Sequence, residues 1–505
     1  MTRWVKFSVI IFLLACIIIP YIFAEISQGS QFVFAGFLFN PLDGNSYYAK
    51  MIQGESGSWA TQFLYSPNSE NSANIFLYYL FLGHVAQWFN LSLIFVFHIS
   101  RIINSIILLV VLNRFLKLVF NNEKSADDAF ILLIFGSGLG WLVSLTGYIS
   151  SDFLIAEAYP FLSMFSNPHF PLALALLLDF LYRVIAPNRQ PKIYLSVFLE
   201  GIILSLISPF MVVIGGLTAG LSVIIKCVQK EKQDIWKIIL FVSGGLPMMI
   251  YQQWVVKTDP VFAIWNAQNV TKTPPLWDIL LSFSPALIFA IMGLVNVVKR
   301  KNLNGWQVIV SWLVAGIVLA YVPFNLQRRF LSGYYIPCGI LAIYGLWSLF
   351  TMRKRKKYFL IIFLFSIITN IFLLGSVFQA ISSHDRVIYL TQDENSALEW
   401  IKANTEPDAV ILASPEMGNF IPAFTGRSVI YGHPYESINA ERAKADVIKF
   451  ISGNDQGYEG SEFLYNYSVD YIFWGEREKM ISENNLLFSY PLLYLNDSVS
   501  VFAIK

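Results

Sequence analysis

The chain is poor in charged residues. Only 13% of its 505 residues are Asp, Glu, Lys or Arg, whereas about 25% is usual for a soluble domain. Hydrophobic residues make up 56% and aromatic residues 16% of the sequence. The net charge of +2 indicates no particular partner, because the basic residues are clustered rather than spread. This composition excludes an ordinary soluble domain and predicts a helical membrane protein with many spans.

Cysteines are few, and common catalytic motifs are absent. Cys16, Cys227 and Cys338 lie in or beside apolar segments, so the sequence predicts neither a disulfide framework nor a zinc site. It contains no Walker motif, no GxSxG and no HExxH. Asp179 and Glu200 lie in or near apolar segments but do not form the ladder of buried acids expected of a proton pump. We therefore expect any chemistry to use an activated substrate, with no nucleotide cofactor and no nucleic acid partner.

Apolar segments long enough to cross a bilayer, roughly 17–25 residues, recur along the first 380 residues. The first is predicted to be a retained helix rather than a signal peptide, because no small-x-small cleavage site precedes Gln28. Segment Asn74–Phe89 is short and interrupted by His84 and Gln87, which predicts a helix lying in the membrane interface. The eleven predicted spans are 5–24, 92–119, 129–147, 168–186, 193–208, 210–228, 235–254, 278–298, 306–324, 330–350 and 358–379.

The positions of Lys and Arg support this count. With eleven spans and a cytoplasmic N-terminus, every basic cluster falls on the cytoplasmic side, as the positive-inside rule requires. Counting 74–89 as a further span would place all of them outside. The clusters lie at 114–128, 187–192, 226–234, 299–305 and 351–357. The sequence thus predicts a multi-pass plasma-membrane protein whose loops 25–91, 148–167 and 255–277, turn 325–329 and C-terminal tail are extracytoplasmic.

The C-terminal tail differs in composition from the rest of the chain. Charged residues return after about residue 380, and a capping box at Thr391–Glu394 predicts the start of a helix. A second amphipathic helix is predicted over Ile438–Ile451. Strand-like runs occupy 409–413, 428–431, 471–474 and 499–503. We expect two domains, a multi-span domain over 1–380 and a soluble α/β domain with a largely parallel sheet over 381–505.

Asp43 is the strongest catalytic candidate. It lies in the first extracytoplasmic loop, at the depth where a lipid-linked substrate presents its head group. Tyr47 and Lys50 share its face of a predicted helix, so we expect both to bind substrate. The alternatives are that Asp43 is a solvated loop residue or only caps a helix beginning at Gly44 or Asn45.

Arg328 and Arg329 stand together at the predicted outer end of a span, against the usual inward bias of positive charge. Two interpretations remain open. The side chains either reach lipid phosphates at the interface, or at least one guanidinium binds the phosphate or pyrophosphate of a substrate through two hydrogen bonds.

Further polar residues of the outer segments are weaker candidates. His169 opens a span from the outside and either contacts substrate, caps the helix, hydrogen-bonds a carbonyl or simply lies in the interface. Asp152 and Glu157 could join Asp43 around a divalent cation such as Mg²⁺ or Mn²⁺, although solvated loop acids are the commoner case.

In the tail, His433 and Glu436 directly follow a predicted strand. The carboxyl ends of parallel strands are common binding sites, so we expect both residues to bind substrate. The alternative is a turn made by Gly432 and Pro434.

Taken together, these features resemble the GT-C superfamily of membrane glycosyltransferases, most closely its prokaryotic branch with protein mannosyltransferases and aminoarabinose transferases. Many members have paired acids in the first loop, whereas Gly44 follows Asp43 here, which makes Glu55 or Asp152 the candidate second carboxylate. The resemblance is carried by residues 43–47, 74–89, 167–170, 327–330, 413–416 and 431–434. It implies a GT-C-like bundle of about 11 transmembrane helices with a C-terminal extracytoplasmic α/β domain.

The resemblance also implies a reaction, an inverting transfer of a hexosyl or pentosyl group from a polyprenyl phosphate or pyrophosphate donor. Asp43 would be the general base toward a hydroxyl on a protein, lipid or glycan, and Arg328 or Arg329 would bind the departing phosphate. The alternatives are a transporter or flippase of lipid-linked sugars, a polysaccharide polymerase or ligase, and a non-catalytic scaffold. Transporters usually show internal repeats and broken helices at the midplane, whereas the polar residues here gather at the outer interface.

Overall fold

A computed structural model describes residues 2–67, 71–453, 458–482 and 490–504. The chain is mostly helical, as its composition predicts, with a small sheet region in its C-terminal part. The helices are α1 (Arg3–Ser27), α2 (Pro41–Glu55), α3 (Leu77–Phe89), α4 (Leu93–Val119), α5 (Glu123–Phe135), α6 (Trp141–Ser144), α7 (Ser151–Leu154), α8 (Pro160–Phe165), α9 (His169–Ile185), α10 (Pro191–Ile207), α11 (Pro209–Val228), α12 (Trp236–Thr258), α13 (Pro260–Gln268), α14 (Leu276–Ser282), α15 (Ala286–Arg300), α16 (Trp306–Ala320), α17 (Tyr335–Leu349), α18 (Met352–Ser382), α19 (Gln392–Asn404), α20 (Met417–Thr425), α21 (Ala440–Ile451), α22 (Tyr458–Asn466) and α23 (Glu476–Ile481). The strands are β1 (Phe32–Phe34), β2 (Tyr389–Thr391), β3 (Val410–Leu412), β4 (Ser428–Val429), β5 (Tyr471–Trp474), β6 (Leu492–Leu495) and β7 (Ser500–Ala503).

Six helices of the described residues are long and apolar enough to cross a membrane, or seven if the bent pair α14 and α15 forms one span. Helices α9 and α10 have 17 residues each and α16 has 15. These three helices overlap predicted spans but are shorter than the six helices that are long enough to cross a membrane. The membrane character is therefore confirmed, while the count of eleven spans stays a prediction.

Two predicted spans are not continuous helices. Span 278–298 is bent by 89° between α14 and α15, and span 129–147 is interrupted after α5. Helix α5 begins earlier, where the Asn122 side chain accepts hydrogen bonds from the backbone N–H groups of Lys124 and Ser125. It ends at Phe135, because Gly136 adopts an extended conformation. The backbone N–H groups of Gly138 and Gly140 then bind the Asp152 carboxylate instead of continuing a helix. Apolar composition alone did not reveal this break.

The chain divides into two compact units. The helical unit consists of Met1–Pro20, His98–Tyr251 and Thr271–Phe378. The mixed unit consists of Tyr21–Phe97, Gln252–Val270 and Gln379–Lys505. The mixed unit thus combines the C-terminal tail with the whole of the predicted outer loop 25–91 and most of the predicted outer loop 255–277. The division into domains 1–380 and 381–505 stays a prediction.

The mixed unit contains a five-stranded sheet in the order β4-β3-β5-β7-β6. Strand β3 is parallel to β4 and β5, as predicted, but β7 is antiparallel to both β5 and β6. The expectation of a largely parallel sheet therefore holds only for its first three strands. A final hairpin, β6–β7, replaces the further crossover helix that another parallel strand would need.

Helices cover both faces of this sheet, because alternate strand residues point to opposite sides. Ile411 and Phe473 belong to one apolar cluster, which also includes Leu398 and Phe420. Their strand neighbours belong to a second cluster with Val447 of α21. Each fully buried large apolar side chain contributes roughly 1.5–3 kcal/mol, so the two clusters hold the sheet between two helical layers.

Two backbone pairings tie the first loop to the tail within the mixed unit. Strand β1 pairs antiparallel with β2, so that Phe32 lies opposite Thr391. The backbone N–H of Val429, in edge strand β4, donates to the carbonyl of Leu64 at 2.9 Å. These pairings place the loop that carries α2 against the sheet of the tail.

Helices α2 and α3 cross at two glycines. A Cβ atom on Gly54 would lie 2.1 Å from the carbonyl oxygen of Leu80, and one on Gly83 would lie 2.1 Å from that of Met51. Only glycine permits so close an approach of the two backbones. The predicted helix over 74–89 is thus present as α3, and its place in the membrane interface stays a prediction.

Candidate active site

Asp43 lies in the first turn of α2, where a negative charge is favoured by the helix dipole. It is not the N-cap residue, because that position belongs to Asn40, which adopts a left-handed conformation before Pro41. The Asn40 side-chain amide instead donates to Asp43 Oδ2. The interpretation of Asp43 as a simple cap of a helix at Gly44 or Asn45 is therefore wrong. Its side chain remains 28% exposed.

The second carboxylate oxygen of Asp43 contacts a histidine from the tail. His433 Nε2 lies 3.2 Å from Asp43 Oδ1. The other ring nitrogen, Nδ1, accepts hydrogen bonds from the backbone N–H groups of Tyr435 and Glu436, each at 3.2 Å. A nitrogen that accepts hydrogen bonds carries no proton of its own, so the ring hydrogen is on Nε2 and is donated to Asp43.

The loop that carries His433 is fixed from several directions. Ser437 Oγ accepts hydrogen bonds from the backbone N–H groups of Gly432 and His433 at 3.2 Å. The Gln268 side chain, at the end of α13, donates to the carbonyls of Tyr435 and Ser437. The loop follows β4, as predicted, and it contains a turn over residues 434–436, closed by a hydrogen bond from the Ser437 N–H to the His433 carbonyl at 3.0 Å.

A buried ion pair joins this loop to α2. Lys50 Nζ lies 2.7 and 2.9 Å from the two carboxylate oxygens of Glu436 and 2.7 Å from Ser46 Oγ. Burial alone would raise the pKa of Glu436, but the charge of Lys50 and the hydrogen bonds from Lys50 and Ser46 hold that pKa below its usual value. Lys50 and Glu436 thus satisfy each other inside the unit.

These positions differ from the predicted substrate contacts. Lys50 is only 2% exposed, and Glu436, which was expected to bind substrate, is buried. Tyr47 stacks on Tyr79 of α3 with ring centroids 4.2 Å apart. In the structure, Tyr47 connects α2 to α3, and Lys50 and Glu436 connect α2 to the loop after β4. Contact of these three side chains with a substrate stays a prediction.

Sequence reasoning missed a buried amide network next to Asp43. Asn45 Nδ2 donates to Asn419 Oδ1 at 2.7 Å, and Asn419 Nδ2 donates to the carbonyl of Gly432 at 3.0 Å. The hydroxyl of Tyr65 donates to the Asn419 carbonyl at 3.1 Å. The one available signal was the polar pair Asn45 and Ser46, which directly follows Asp43 and Gly44 in an otherwise mixed helix.

In the helical unit, the two adjacent arginines have different surroundings. Arg329 donates to Glu157 Oε1 at 3.1 Å, and that carboxylate is almost completely buried. Arg328 Nε, by contrast, is buried without a hydrogen-bond partner among the described residues. The two guanidinium groups therefore differ in their partners. Arg329 pairs with the buried carboxylate of Glu157, whereas Arg328 Nε has no partner within the described residues.

Asp152 is fully buried and surrounded by hydrogen-bond donors. They come from two backbone amides and three hydroxyl groups, those of Gly138, Gly140, Ser150, Ser282 and Thr369. A carboxylate with this many fixed donors is a structural anchor for the surrounding loops.

Within each unit, the predicted metal ligands are either far apart or occupied by other partners. Asp43 and Glu55 lie at opposite ends of the 15-residue helix α2, about 18 Å apart along its axis. Glu157 is paired with Arg329. Within the described residues, no group of three or more His, Cys, Asp and Glu side chains is arranged to hold a metal ion. Glu55 therefore does not serve as the second carboxylate beside Asp43.

His169 is the first residue of α9, as predicted, and its ring packs against Phe170. The segment before it is held by two residues of α4 that sequence reasoning missed. Asn104 donates to the carbonyl of Pro168, and the buried guanidinium of Arg101 donates to the carbonyls of Met164 and Phe165. An arginine inside a predicted span was the available signal, since such residues are rare.

Comparisons with known proteins identify the fold. No protein-family model matches the chain, and no curated protein sequence matches it. Among solved structures, the chain is similar to the Archaeoglobus fulgidus oligosaccharyltransferase in its apo form, with a TM-score of 0.57 and 12% identity, covering 94% of this chain and 70% of that chain. The same enzyme in complex with Zn and sulfate gives a TM-score of 0.50 at 12% identity, covering 91% and 67%.

A third similar structure is ArnT from Cupriavidus metallidurans bound to undecaprenyl phosphate. Its TM-score is 0.52 at 8% identity, with 98% of this chain and 97% of that chain covered. The chain has the GT-C fold. The resemblance seen in the sequence is thereby confirmed at the level of architecture, and the similarity extends over nearly the whole chain.

Proposed function

We propose that this protein is a membrane glycosyltransferase that moves a sugar from a polyprenyl-linked donor to an acceptor hydroxyl. The observation that carries the proposal is the Asp43 carboxylate, which is partly exposed and oriented by a hydrogen-bond donor on each oxygen. The fold supports it, because one similar structure contains undecaprenyl phosphate. The acceptor is a hydroxyl of a protein, lipid or glycan.

Asp43 acts as the general base of an inverting displacement. As the acceptor oxygen attacks the anomeric carbon, its proton passes to the Asp43 carboxylate. The bond between that carbon and the phosphate oxygen breaks, and the polyprenyl phosphate leaves with the electron pair. Such positioned proton transfer accelerates reactions by about 10²–10⁴-fold.

Arg328 is the residue we assign to the departing phosphate. Its Nε lacks a hydrogen-bond partner within the described residues, whereas Arg329 is held by Glu157. A guanidinium matches the geometry of phosphate oxygens and stabilises the negative charge that grows on them. Arg329 then contributes by fixing the segment that presents Arg328.

The residues present do not suit a bound divalent cation of the predicted kind. Asp152 is anchored by hydroxyl groups and backbone amides. Glu157 is paired with Arg329, and Glu55 is distant from Asp43 along α2. No step of the proposed mechanism passes through a metal ion.

The expected topology completes the proposal. The basic clusters of the predicted inner connections favour a cytoplasmic N-terminus by the positive-inside rule. The mixed unit, which carries Asp43, then lies on the extracytoplasmic side, where lipid-linked sugars await transfer.

The experiment measures release of polyprenyl phosphate from a panel of polyprenyl-linked sugars in membranes. Asp43→Asn keeps the shape of the side chain but removes the base, so turnover should fall by at least about 10²-fold. Asp393→Asn is the matched control, because Asp393 also lies in the first turn of a helix of the mixed unit. It should leave turnover unchanged.

Each outcome separates one alternative. Equal turnover by both variants would remove Asp43 from the mechanism. Transfer of intact lipid-linked sugar between leaflets, without a new glycosidic bond, would identify a flippase. Repeated addition to one growing glycan would identify a polymerase.

A further inference from the structure

We infer that His433 is a positioning residue for Asp43, which holds the carboxylate in its reactive orientation and does not contact the substrate. The inference rests on the proposed function, because it concerns the base of that reaction. It replaces the expectation that His433 binds substrate.

The argument begins with the imidazole itself. Its Nδ1 is occupied by the backbone N–H groups of Tyr435 and Glu436, and its Nε2 faces Asp43 Oδ1. Both ring nitrogens are therefore used within the protein. The ring is also buried, so it offers no polar atom to a sugar.

The carboxylate is held from two sides. Asn40 Nδ2 donates to Oδ2, and His433 Nε2 donates to Oδ1. Two donors on different oxygens fix the plane of the carboxylate, which rotates freely about its last bond when unsupported. A base whose lone pairs are fixed in direction avoids the loss of rate that follows from small displacements.

The histidine is itself held by independent contacts. Gln268 and Ser437 fix the backbone of its loop. The ion pair between Lys50 and Glu436 anchors the same loop to α2, the helix that carries Asp43. Helix α2 and the loop of His433 are thus joined twice, by the buried ion pair and by the contact between His433 and Asp43. The ion pair therefore helps to fix the distance between His433 and Asp43.

The test uses two substitutions, each of which keeps the hydrogen-bonding role of only one of the two ring nitrogens. In His433→Asn, the amide oxygen takes the place of Nδ1 and accepts from the loop backbone, but the donor to Asp43 is lost. In His433→Gln, the amide nitrogen takes the place of Nε2 and restores that donor. His84→Ala is the control, because His84 is a buried histidine of the same unit that stacks on Trp59.

We expect His433→Asn to lower kcat by about 10–100-fold while KM for the donor changes by less than about twofold. His433→Gln should recover most of the lost kcat, and His84→Ala should match the wild type. In an Asp43→Asn background, His433→Asn should have no further effect on residual turnover.

Three results would overturn the inference. The first is a raised KM with unchanged kcat, which indicates contact with substrate. The second is an equal loss of kcat and of thermal stability in both variants, which indicates a purely structural role. The third is a further loss in the Asp43→Asn background. Full turnover by Asp43→Asn alone would instead contradict the proposed function, so the two failures are distinguishable.

Discussion

Asp43 in the mixed unit and Asp152 in the helical unit are both aspartates of predicted outer loops, and their surroundings in the structure are opposite. Asp152 is completely buried and bound by backbone amides and hydroxyls. Asp43 keeps 28% of its side chain exposed and is oriented by Asn40 and His433. A carboxylate that is saturated holds structure together, whereas one that is oriented and still accessible can accept a proton.

The largest expected effect separates these two aspartates. Asp43→Asn should lower the rate of transfer by about 10²–10⁴-fold, with little change in thermal stability. Asp152→Asn should instead destabilise the fold by about 2–4 kcal/mol, because the new amide hydrogens face existing donors. Unfolding in detergent and turnover, measured on both variants, check the comparison. Loss of stability in Asp43→Asn and loss of turnover alone in Asp152→Asn would reverse it.

The buried ion pair provides the next effect. Lys50→Met leaves the Glu436 carboxylate buried without its cation, which should cost about 3–5 kcal/mol in the free energy of unfolding. The double variant Lys50→Met/Glu436→Gln should recover part of that loss, because no charge remains buried. If the loss of stability in the double variant equals the sum of the losses in Lys50→Met and Glu436→Gln, the two residues are not coupled.

The same pair predicts a dependence of stability on pH. The pKa of Glu436 lies below its usual value, so the unfolded chain binds its proton more readily than the folded protein. Its stabilising effect is present above the unfolded pKa of a glutamate, about 4.3, and is lost as the pH falls through the lower folded pKa. Glu436→Gln should flatten acid unfolding in this range, and an unchanged acid transition would contradict the assignment.

The adjacent arginines give a smaller contrast. Arg328→Ala should lower kcat and kcat/KM for the donor by about 10-fold or more without a change in stability, because it removes a charge-assisted contact that strengthens as charge grows on the leaving phosphate. Arg329→Ala should lower stability, because it leaves Glu157 buried and unpaired. Kinetics and thermal unfolding of the two variants, measured together, test this. Equivalent behaviour would mean that both arginines are structural.

The smallest effect concerns helix packing. Gly83→Ala should destabilise the mixed unit by about 1–3 kcal/mol, because its Cβ would overlap the carbonyl of Met51. Gly220→Ala in α11 is the control, because among the described residues no heavy atom outside its own stretch of helix lies within 4 Å of its Cβ position. It should be neutral or slightly stabilising. A neutral Gly83→Ala would show that the crossing of α2 and α3 is not tight.

The sequence predicted what depends on local pattern. Long apolar segments predicted most of the helices, and the capping box at Thr391–Glu394 is present at the start of α19. The strands β3, β4, β5 and β7 fall within predicted runs. The sequence did not predict the end of α5 at Phe135, because the reason lies in the binding of Gly138 and Gly140 to Asp152.

The arrangement of the site depends on partners that are distant in the chain. Asp43 and His433 are separated by 390 positions, and Lys50 and Glu436 by 386. All four residues were recognised as candidates, but no local pattern pairs residues at such separations. Substrate binding was therefore the default prediction for Lys50, His433 and Glu436, whereas the structure shows contacts that orient and anchor the helix of Asp43.

The most direct test of the central claim is a product analysis of purified protein in lipid bilayers, supplied with a polyprenyl-linked sugar and a set of hydroxyl acceptors. The account predicts that wild type forms one new glycosidic bond for each polyprenyl phosphate released, and that Asp43→Asn forms both products at least about 10²-fold more slowly. Equal product formation by Asp43→Asn, or movement of uncleaved donor across the bilayer, would contradict it.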